Sequence, residues 1–547
     1  MSVSSWIRVR SERAFGRLER VTPVTSRDRG WIALSMLPAL VAVSIYLSTN
    51  AYPAFGAGLY VEFAEQIAAN GFVPPTNVEH YTSDGVPFSY PPLQFYVVAV
   101  LLELGAEPVT IARVLPGLAV VLATIPAYVL GRDLTDSRPA GAAVAVALSL
   151  NPQVLQWHVS AGGVVRGFAF LYALVAISAA YRAFTTERLR PVVVATVAFG
   201  CTVLSHPTYT VFAAGSILIC YLAESRTVAG FGRGLVIGLG GAVIASPWIA
   251  WAIATFGVDQ FTSAAGTHGG VGGGANAIIG YASLAVLVPL AAGAYLLFRR
   301  RVFVPLWLAF AELAFKQPRF SYAVGAFAIA ATVVDVVDRT NVVGVASDVA
   351  RSLSVDEHAT IGAVAAVCLV LSTAVGGAYL AHEMTLESDP TTPEFLDDES
   401  VEAMEWAERE TDEDATFVVL GDAAEWFPLL ADRTIVVGPW GVEWRNPDLF
   451  YDHIRAYETS SRCQTARCVE AASTNVSRVP EYVVVPKGSY TVRGHPAKQF
   501  GVLDRSFEAS ADWERAYEND GVVVFHAVET DTDVALDSRP VDHVGAR

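Results

Sequence analysis

Residues able to act on a phosphate-linked substrate occur at the ends of apolar segments in this sequence. Two carboxylates, Glu62 and Asp84, follow the first long apolar segment, and three cations, Arg166, Lys316 and Arg319, stand at the ends of later ones. A carboxylate can take the proton of an attacking group, and cations can stabilise a leaving phosphate. Taken together, these residue types favour group transfer from a phosphate carrier at a membrane surface.

The apolar segments predict a polytopic α-helical membrane protein, because a span needs about 20 apolar residues. We count about eleven transmembrane helices, over about 30–48, 108–130, 139–156, 164–184, 191–205, 207–224, 235–255, 276–297, 302–315, 320–337 and 359–380. The apolar segment 91–104 is short, and a twelfth crossing there would break the charge pattern of the loops. We therefore predict that it lies on the membrane surface.

Arginine marks the inner side of this bundle. The tail 1–29 is rich in Arg, and each loop that eleven spans place on the same side also contains Arg. Cytoplasmic loops carry this excess of positive charge, which predicts a cytoplasmic N-terminus. The domains are then the tail, a transmembrane domain over 30–381 whose first outer loop is 49–107, and an extracellular domain over 382–547.

The C-terminal part differs sharply in composition. Residues 1–381 contain 23 Lys and Arg and 20 Asp and Glu, whereas residues 382–547 contain 14 and 34. No basic surface for nucleic acid is present. Alternating helical and short apolar β segments after Thr391 predict a soluble α/β domain. Cys463 and Cys468 in this domain are either a short-loop disulfide or two free thiols.

The first outer loop is long, aromatic and apolar. Leu59, Phe63 and Ile67 recur at helical spacing, with Glu62, Glu65 and Gln66 on the opposing side. This pattern predicts an amphipathic helix on the membrane surface. With segment 91–104 it would form a roof over the bundle, joined by a polar hairpin. Tyr60, His80 and Tyr90 are candidate substrate residues of this loop.

Further polar residues stand on the same outer side. His158 closes the third span, His206 precedes Pro207 between the fifth and sixth, and His268 lies in a Gly-rich loop. Each of these groups, taken singly, is more often a capping or snorkelling residue. Their joint position on one face, with the three cations, predicts a site for a phosphate at headgroup depth. We assign donor-phosphate binding to Arg166, His206, Lys316 and Arg319, since Arg binds phosphate bidentately and Lys as a point charge.

Several segments resemble one known superfamily. They are "GLYVEFAEQIAANG", "YPPLQFYVVAVLLELG", "ARVLPGLAVVLATIPAYVLGRDL", "HVSAGGVVRGFAFL" and "LSHPTY". Their order is similar to that in the lipid-phosphate-dependent membrane glycosyltransferases of the GT-C type, which include protein mannosyltransferases, aminoarabinose transferases and oligosaccharyltransferases. The resemblance covers about 30–340, and "FVVLGDAAEWFPLLADRTIVVGPWGVEW" resembles the external domain of archaeal members. It implies a GT-C fold and a sugar donor on dolichyl or another polyprenyl phosphate.

The sequence departs from this superfamily at one place. Members usually carry an Asp or Asp-Glu a few residues before the Tyr that matches Tyr60, where this chain has Gly56 and Ala57. Glu62 is the first candidate to replace that carboxylate. Asp84 is the second, although beside Gly85 it is more often a turn residue.

The predicted function is therefore transfer of a sugar from a lipid-phosphate donor to a glycan, protein or lipid acceptor. The sequence gives no clear metal-ligand set, so no cofactor is assigned and a divalent cation stays open. Two alternatives remain, namely an inactive scaffold of a surface glycosylation pathway and a transporter of lipid-linked sugars. The missing Asp favours the scaffold, whereas the nearly charge-free span centres argue against the transporter.

Overall fold

The protein was analysed as a computed structural model that describes residues 24–186, 188–268, 271, 284–340, 393–497 and 500–528. The chain divides into two compact units. The first unit comprises Met1–Thr76 and Phe88–Glu394, and the second comprises Asn77–Pro87 and Phe395–Arg547. A short piece of the first outer loop thus belongs to the unit that contains the C-terminal part of the chain.

The regular elements among the described residues of the first unit are helices, joined by loops. Its helices are α1 (Ser26–Thr49), α2 (Gly58–Ala69), α3 (Leu93–Glu103), α4 (Pro108–Thr135), α5 (Arg138–Ser149), α6 (Pro152–Val159), α7 (Gly163–Thr185), α8 (Leu189–Val203), α9 (Pro207–Glu224), α10 (Val228–Phe256), α11 (Asp259–His268), α12 (Leu284–Phe298), α13 (Phe303–Ala314) and α14 (Pro318–Thr340). Helices α1, α4, α7, α10 and most of α14 are long and apolar enough to cross a membrane. Helices α3, α8, α12 and α13 are shorter apolar helices.

Nine of the eleven predicted spans coincide with helices of the described residues, and so does the described part of a tenth, 276–297. The first eight residues of that span and the whole of the eleventh, 359–380, lie outside the described residues. One predicted span, 139–156, is two helices. Asn151 caps the second of these, accepting hydrogen bonds from the backbone N–H groups of Gln153 and Val154, and Pro152 occupies its first turn. Because proline lacks an amide hydrogen and starts helices well, the break falls where α5 ends and α6 begins.

The apolar core of this unit is centred on α7, whose small residues let α4, α8 and α9 approach closely. Ala169, Ala173, Ala176 and Ala180 are buried in one hydrophobic cluster with side chains from the neighbouring helices. Helix α10 is different, because most of its apolar residues remain exposed. Close packing through small residues is the usual way in which membrane helices associate, and an apolar exposed face suits lipid.

Some arginines of the predicted inner loops have structural partners. Arg132 and Arg138 lie 2.9 and 3.1 Å from the carboxylate of Asp28, which is fully buried at the start of α1. Arg299, Arg301 and Arg339 surround the buried Asp335 in the same way. The arginines therefore fix helix ends as well as marking the predicted inner side. The orientation of the chain stays a prediction.

The two helices predicted in the first outer loop are present as α2 and α3, and their position on a membrane surface stays a prediction. Leu59, Phe63 and Ile67 are buried as expected, but Glu62 is also buried, with 6% of its surface exposed. The expectation that Glu62 lies on an open polar side was wrong. Neighbouring residues cover that side as well, and the amide of Gln66 donates a 2.7 Å hydrogen bond to the Glu62 carboxylate.

The second unit is an α/β domain built on a five-stranded mixed sheet. Its strands are β3 (Thr416–Val419), β4 (Thr434–Ile435), β5 (Tyr482–Pro486), β8 (Trp513–Glu518) and β9 (Val522–Ala527), in the order β4-β3-β5-β9-β8. Strand β3 is parallel to β4 and β5, and β9 is antiparallel to β5 and β8. The hairpins β1 (Asn77–Val78) with β2 (Val86–Pro87) and β6 (Tyr490–Val492) with β7 (His495–Ala497) complete the strands.

Helices of this unit are α15 (Asp398–Glu410), α16 (Phe427–Ala431), α17 (Pro447–Ser460), α18 (Ala466–Thr474) and α19 (Phe500–Glu508). The predicted α/β class is confirmed, including the four predicted strands. Strand β8 was missed because its residues are largely charged and exposed. Cys463 and Cys468 form a disulfide, which the sequence left open.

Asp422 stabilises the end of β3 in this unit. Its carboxylate is buried and accepts a hydrogen bond from the Tyr457 hydroxyl and 2.7 Å hydrogen bonds from the backbone N–H groups of Arg493 and Gly494. Burial, helped by the neighbouring Asp422 carboxylate, raises the pKa of Tyr457 well above its ordinary value. We expect Asp422→Ala to destabilise the unit by about 3 kcal/mol, because two buried donors and one partly buried donor lose their partner. Thermal unfolding followed by tryptophan fluorescence should show the loss, and Glu413→Ala, at an exposed position, should unfold like the wild type.

Candidate functional site

Two arginines share one aromatic ring in the first unit. Arg166 lies in the first turn of α7 and Arg319 in the first turn of α14. The Cζ atom of each guanidinium is 5.5 Å from the ring centroid of Trp157. Gly162 permits this arrangement, because a Cβ atom there would occupy the space of the Arg166 guanidinium. Residues separated by about 150 positions thus form a two-cation cluster.

Neither guanidinium is neutralised within the described part of the chain. Arg319 is 5% exposed, and its polar partners there are the side-chain amide oxygen of Gln317 and the hydroxyl of Tyr209, neither of which carries a charge. The Nε atoms of Arg166 and Arg319 are both buried without a hydrogen-bond partner. Arg319 is buried and Arg166 is half-buried. Buried charges in proteins are normally paired with an opposite charge, so two cations around one ring, without a carboxylate partner among the described residues, make a strong site for an anion. Phosphate fits the planar donor groups of arginine well.

A wall of histidine and tyrosine borders this pair. Arg319 Cζ is 5.6 Å from the ring centroid of Tyr209, which is fully buried. The Tyr209 hydroxyl is 2.6 Å from His158 Nε2, and His158 Nδ1 is 2.5 Å from the carbonyl oxygen of Val154. Since a carbonyl can only accept, Nδ1 carries the hydrogen, and the neutral imidazole accepts from Tyr209 at Nε2. His158 therefore orients the tyrosine that packs on Arg319.

The same wall continues to the first outer loop. The ring of His206 lies 5.1 Å from Tyr209 and 5.8 Å from Tyr90, and Tyr90 lies 5.3 Å from Tyr60 on α2. His206 also caps α9, since its Nδ1 accepts a hydrogen bond from the N–H of Thr208. An aromatic path therefore connects α2 with Arg319.

The loop reaches the cluster from a second direction through Phe55. The Phe55 ring stacks on Trp157 at 5.4 Å, with a backbone φ of +60° that is uncommon for a residue other than glycine. Hydrogen bonds hold the segment on both sides, from Ala161 N–H to the Ala54 carbonyl and from Phe55 N–H to the Pro393 carbonyl, each 2.9 Å. Gly56 and Ala57, where a carboxylate was expected, follow directly.

Six of the predicted site residues thus come together, namely Tyr60, Tyr90, His158, Arg166, His206 and Arg319. Lys316 is exposed three residues before Arg319. Asp84 and His80 belong to the second unit, where Asp84 pairs with Arg445 at 3.4 Å and His80 Nδ1 is 3.0 Å from the Thr434 hydroxyl. The side chain of His268 lies outside the described residues.

Sequence reasoning missed Phe55, Trp157 and Tyr209. Trp157 precedes His158 at the end of a predicted span, and Tyr209 follows the His-Pro pair, so each adjoins a residue that was singled out. Aromatic residues are so frequent in apolar segments that their position alone gave no signal. Among the described residues, no group of three His, Cys, Asp or Glu side chains is arranged to hold a metal ion.

Comparison with known proteins gives one family match. A profile of the family described as dolichyl-phosphate-mannose-protein mannosyltransferase matches residues 89–251, which include Tyr90, His158, Arg166 and His206. No curated protein sequence matches the chain.

Solved structures are similar over most of the chain. The Archaeoglobus fulgidus oligosaccharyltransferase tethered with an acceptor peptide matches with a TM-score of 0.55 and 14% identity, over 83% of this chain and 69% of that protein. ArnT from Cupriavidus metallidurans bound to undecaprenyl phosphate matches with a TM-score of 0.54 and 14% identity, over 91% of this chain and 98% of that protein. The mycobacterial arabinofuranosyltransferase AftD matches with a TM-score of 0.55 and 13% identity, over 92% of this chain but 40% of that longer protein. The chain therefore has the GT-C fold of multi-pass membrane glycosyltransferases.

Proposed function

We propose that this protein transfers a sugar from a polyprenyl-phosphate donor, with the donor phosphate bound between Arg166 and Arg319. One observation carries the proposal: two guanidinium groups, both with a buried Nε lacking a partner, face the same Trp157 ring. A bound phosphate would neutralise both cations and accept their hydrogen bonds. The leaving phosphate of a glycosyl transfer would be stabilised in the same position.

The relatives support this assignment. ArnT, which shares the fold, was solved with undecaprenyl phosphate, and the matching family is named for a dolichyl-phosphate sugar donor. In the proposed topology the N-terminus is cytoplasmic, the first outer loop and C-terminal unit are extracellular, and the acceptor is a glycan, protein or lipid of the cell surface. We propose an archaeal origin from the resemblance of the acidic external part.

The acceptor needs a group that removes its proton. Glu62 and Asp84 are the proposals from the sequence. Glu62 lies on α2 close to Tyr60, which contacts the aromatic wall, whereas Asp84 has Arg445 as an ion-pair partner. We propose that the side chains of His206, Tyr60 and Tyr90 border the position of the donor sugar.

The scaffold alternative keeps one observation in its favour, which is the Gly56-Ala57 pair in place of an acidic residue. A scaffold, however, has no need for a buried Arg319 beside a half-buried Arg166 with no carboxylate partner among the described residues, because such groups cost folding free energy. A site that binds the donor phosphate accounts for that cost.

Donor binding should depend on the two arginines at Trp157 more than on the exposed Lys316. We expect Arg166→Ala to lower the affinity for polyprenyl phosphate in detergent micelles about tenfold, since a charge-assisted hydrogen bond is worth about 1.5–3 kcal/mol. Lys316→Ala should change it less than about threefold, because an exposed charge is screened by water and salt. Microscale thermophoresis of the full chain would measure both, and equal losses in the two variants would contradict the proposed position of the phosphate.

The function itself is tested in a deletion strain. Mass spectrometry of surface glycans and lipid-linked sugars should find a glycan that lacks one sugar residue in the deletion strain. The wild-type gene should restore the complete glycan. Restoration by a variant with both Arg166 and Arg319 replaced by alanine would identify a scaffold, because that variant should not bind the donor.

A further inference from the structure

His158 is packed against the start of α7, the helix that carries Arg166. Its ring stacks on Phe170 of α7, with the two ring centroids 4.6 Å apart and the ring planes 26° from parallel. Its backbone carbonyl lies so close to Gly163 that a Cβ atom there would be 2.2 Å from the carbonyl oxygen. Gly163 begins α7, and Phe170 follows Arg166 by about one helical turn. His158 is therefore fixed to the part of α7 from which Arg166 projects.

A chain of hydrogen bonds leads from His158 to Arg319. The Nδ1–H of His158 donates to the Val154 carbonyl at 2.5 Å, so Nε2 accepts from the Tyr209 hydroxyl at 2.6 Å. The Tyr209 hydroxyl is also a hydrogen-bond partner of the Arg319 guanidinium. Because arginine can only donate, the tyrosine oxygen accepts in that bond. The hydroxyl hydrogen is thus committed to His158, and the oxygen stays available to Arg319.

This chain restricts how the Arg319 guanidinium is turned. His158 and Tyr209 are fully buried and Arg319 is 5% exposed, so water competes little for these hydrogen bonds. Other N–H groups of Arg319 donate to Tyr209 and Gln317, whereas its Nε has no partner within the described residues. A planar guanidinium that is held at some of its donors has little freedom to rotate. The Nε–H is thereby left for an anion.

His158 itself has no ring nitrogen to offer a substrate. Nδ1 is used by Val154 and Nε2 by Tyr209. The sequence placed His158 among the candidate substrate residues, but these contacts favour a different role. The two arginines carry like charges on one ring and repel each other while no anion is bound, so a contact that holds Arg319 in place reduces the reorganisation needed on binding.

We propose that His158 is a positioning residue that holds Arg319 in register with Arg166 and thereby raises the affinity for the donor phosphate. It acts through the Tyr209 hydroxyl on one guanidinium and through its packing on α7 relative to the other. The inference rests on the proposed binding of the donor phosphate and deepens it, because it names a residue that controls this site without touching the phosphate.

Two substitutions of His158 separate its hydrogen bond from its ring packing. His158→Phe keeps a ring that can stack on Phe170 but offers Tyr209 no acceptor, so we expect the affinity for polyprenyl phosphate in detergent micelles to fall about fivefold. His158→Gln loses the ring but offers an amide oxygen near the position of Nε2, so its affinity should stay within about twofold of the wild type. Microscale thermophoresis of the full chain would measure both. The reverse order of affinities would show that only ring packing matters and would overturn the inference.

Tyr209→Phe tests the other end of the same hydrogen bond, because it deletes one oxygen atom and keeps the ring. Its affinity should fall at least as far as that of His158→Phe. Adding His158→Phe to Tyr209→Phe should cause no further loss, since two residues that act through one bond are not additive. Additive losses would mean that His158 affects the donor by another route, against the inference. Tyr172→Phe is the matched control, because it removes the hydroxyl of a half-buried tyrosine of α7 that lies 3.4 Å from the Gln94 amide, and it should bind the donor normally.

The outcomes separate this inference from the proposed function. Wild-type affinity in both His158→Phe and Tyr209→Phe, with binding lost in Arg319→Ala, would overturn the positioning role and leave the phosphate site standing. A lowered unfolding temperature of His158→Phe without any change in donor affinity would likewise make His158 purely structural. Absence of polyprenyl phosphate binding by the wild-type chain would instead overturn the proposed function.

Discussion

Arg319→Ala should nearly abolish donor binding. Arg319 is 5% exposed and lies on three aromatic rings, those of Trp157, Tyr209 and Phe320. A phosphate bound there is shielded from water, so loss of the guanidinium should cost about 3 kcal/mol, which is about 100-fold in affinity. Binding of polyprenyl phosphate to the purified full-length chain would measure the effect.

Two further variants separate charge from structure. Arg319→Lys keeps the charge but loses the planar pair of donors, so its affinity should lie between those of the wild type and Arg319→Ala. Arg478→Ala removes an exposed arginine of the second unit and should bind the donor normally.

Arg319→Ala is expected to weaken donor binding but not to lower the stability of the protein. Removal of one of two unneutralised cations relieves repulsion with Arg166, so the unfolding temperature should stay the same or rise. A marked fall in unfolding temperature, with donor affinity unchanged, would mean that Arg319 is structural.

Asp28→Ala should produce the largest loss of stability. The Asp28 carboxylate is fully buried, lies 2.9 Å from Arg132 and 3.1 Å from Arg138, and accepts a 2.9 Å hydrogen bond from the Tyr128 hydroxyl. It also accepts from the N–H and hydroxyl of Thr25 in a capping box at the start of α1. Breaking a buried ion pair by removing one partner costs about 3–5 kcal/mol, because the other charge stays buried and unpaired.

Thermal unfolding in detergent would measure this loss, with Glu103→Ala as a control at an exposed carboxylate. Asp28→Asn should be intermediate, since an amide keeps part of the hydrogen bonding but none of the charge. A wild-type unfolding temperature for Asp28→Ala would show that the arginines find equal partners elsewhere. Donor affinity of the folded fraction should not change, because the phosphate site is built from other residues.

Helical periodicity and hydropathy predicted much of the architecture. The long apolar segments became helices, and the alternating pattern after Thr391 became an α/β unit, because burial of apolar side chains acts locally along each element. The predicted helix boundaries were less accurate where a capping residue starts a new helix, as Asn151 does within the predicted span 139–156. Strand β8 was missed because it lies at the edge of the sheet, where its mostly exposed residues show no apolar pattern.

The burial of Glu62 could not be read from its helix. The spacing of Leu59, Phe63 and Ile67 identifies one apolar side of α2, but it does not say what covers the other side. In the structure Glu62 on that other side is also buried, with a hydrogen bond from Gln66 to its carboxylate. Periodicity describes one element, whereas burial is a property of the assembled unit.

The sequence by itself determined the class of protein, the apolar helices and the residue types available for phosphate chemistry, because these depend on composition and local spacing. The tertiary structure alone decided that Arg166 and Arg319 share the ring of Trp157, that Tyr209 packs on Arg319 and hydrogen-bonds to His158, and that Phe55 hydrogen-bonds to Pro393. These contacts span from about 50 to 340 positions of the chain. They arise from packing between helix ends and loops, which no local pattern encodes.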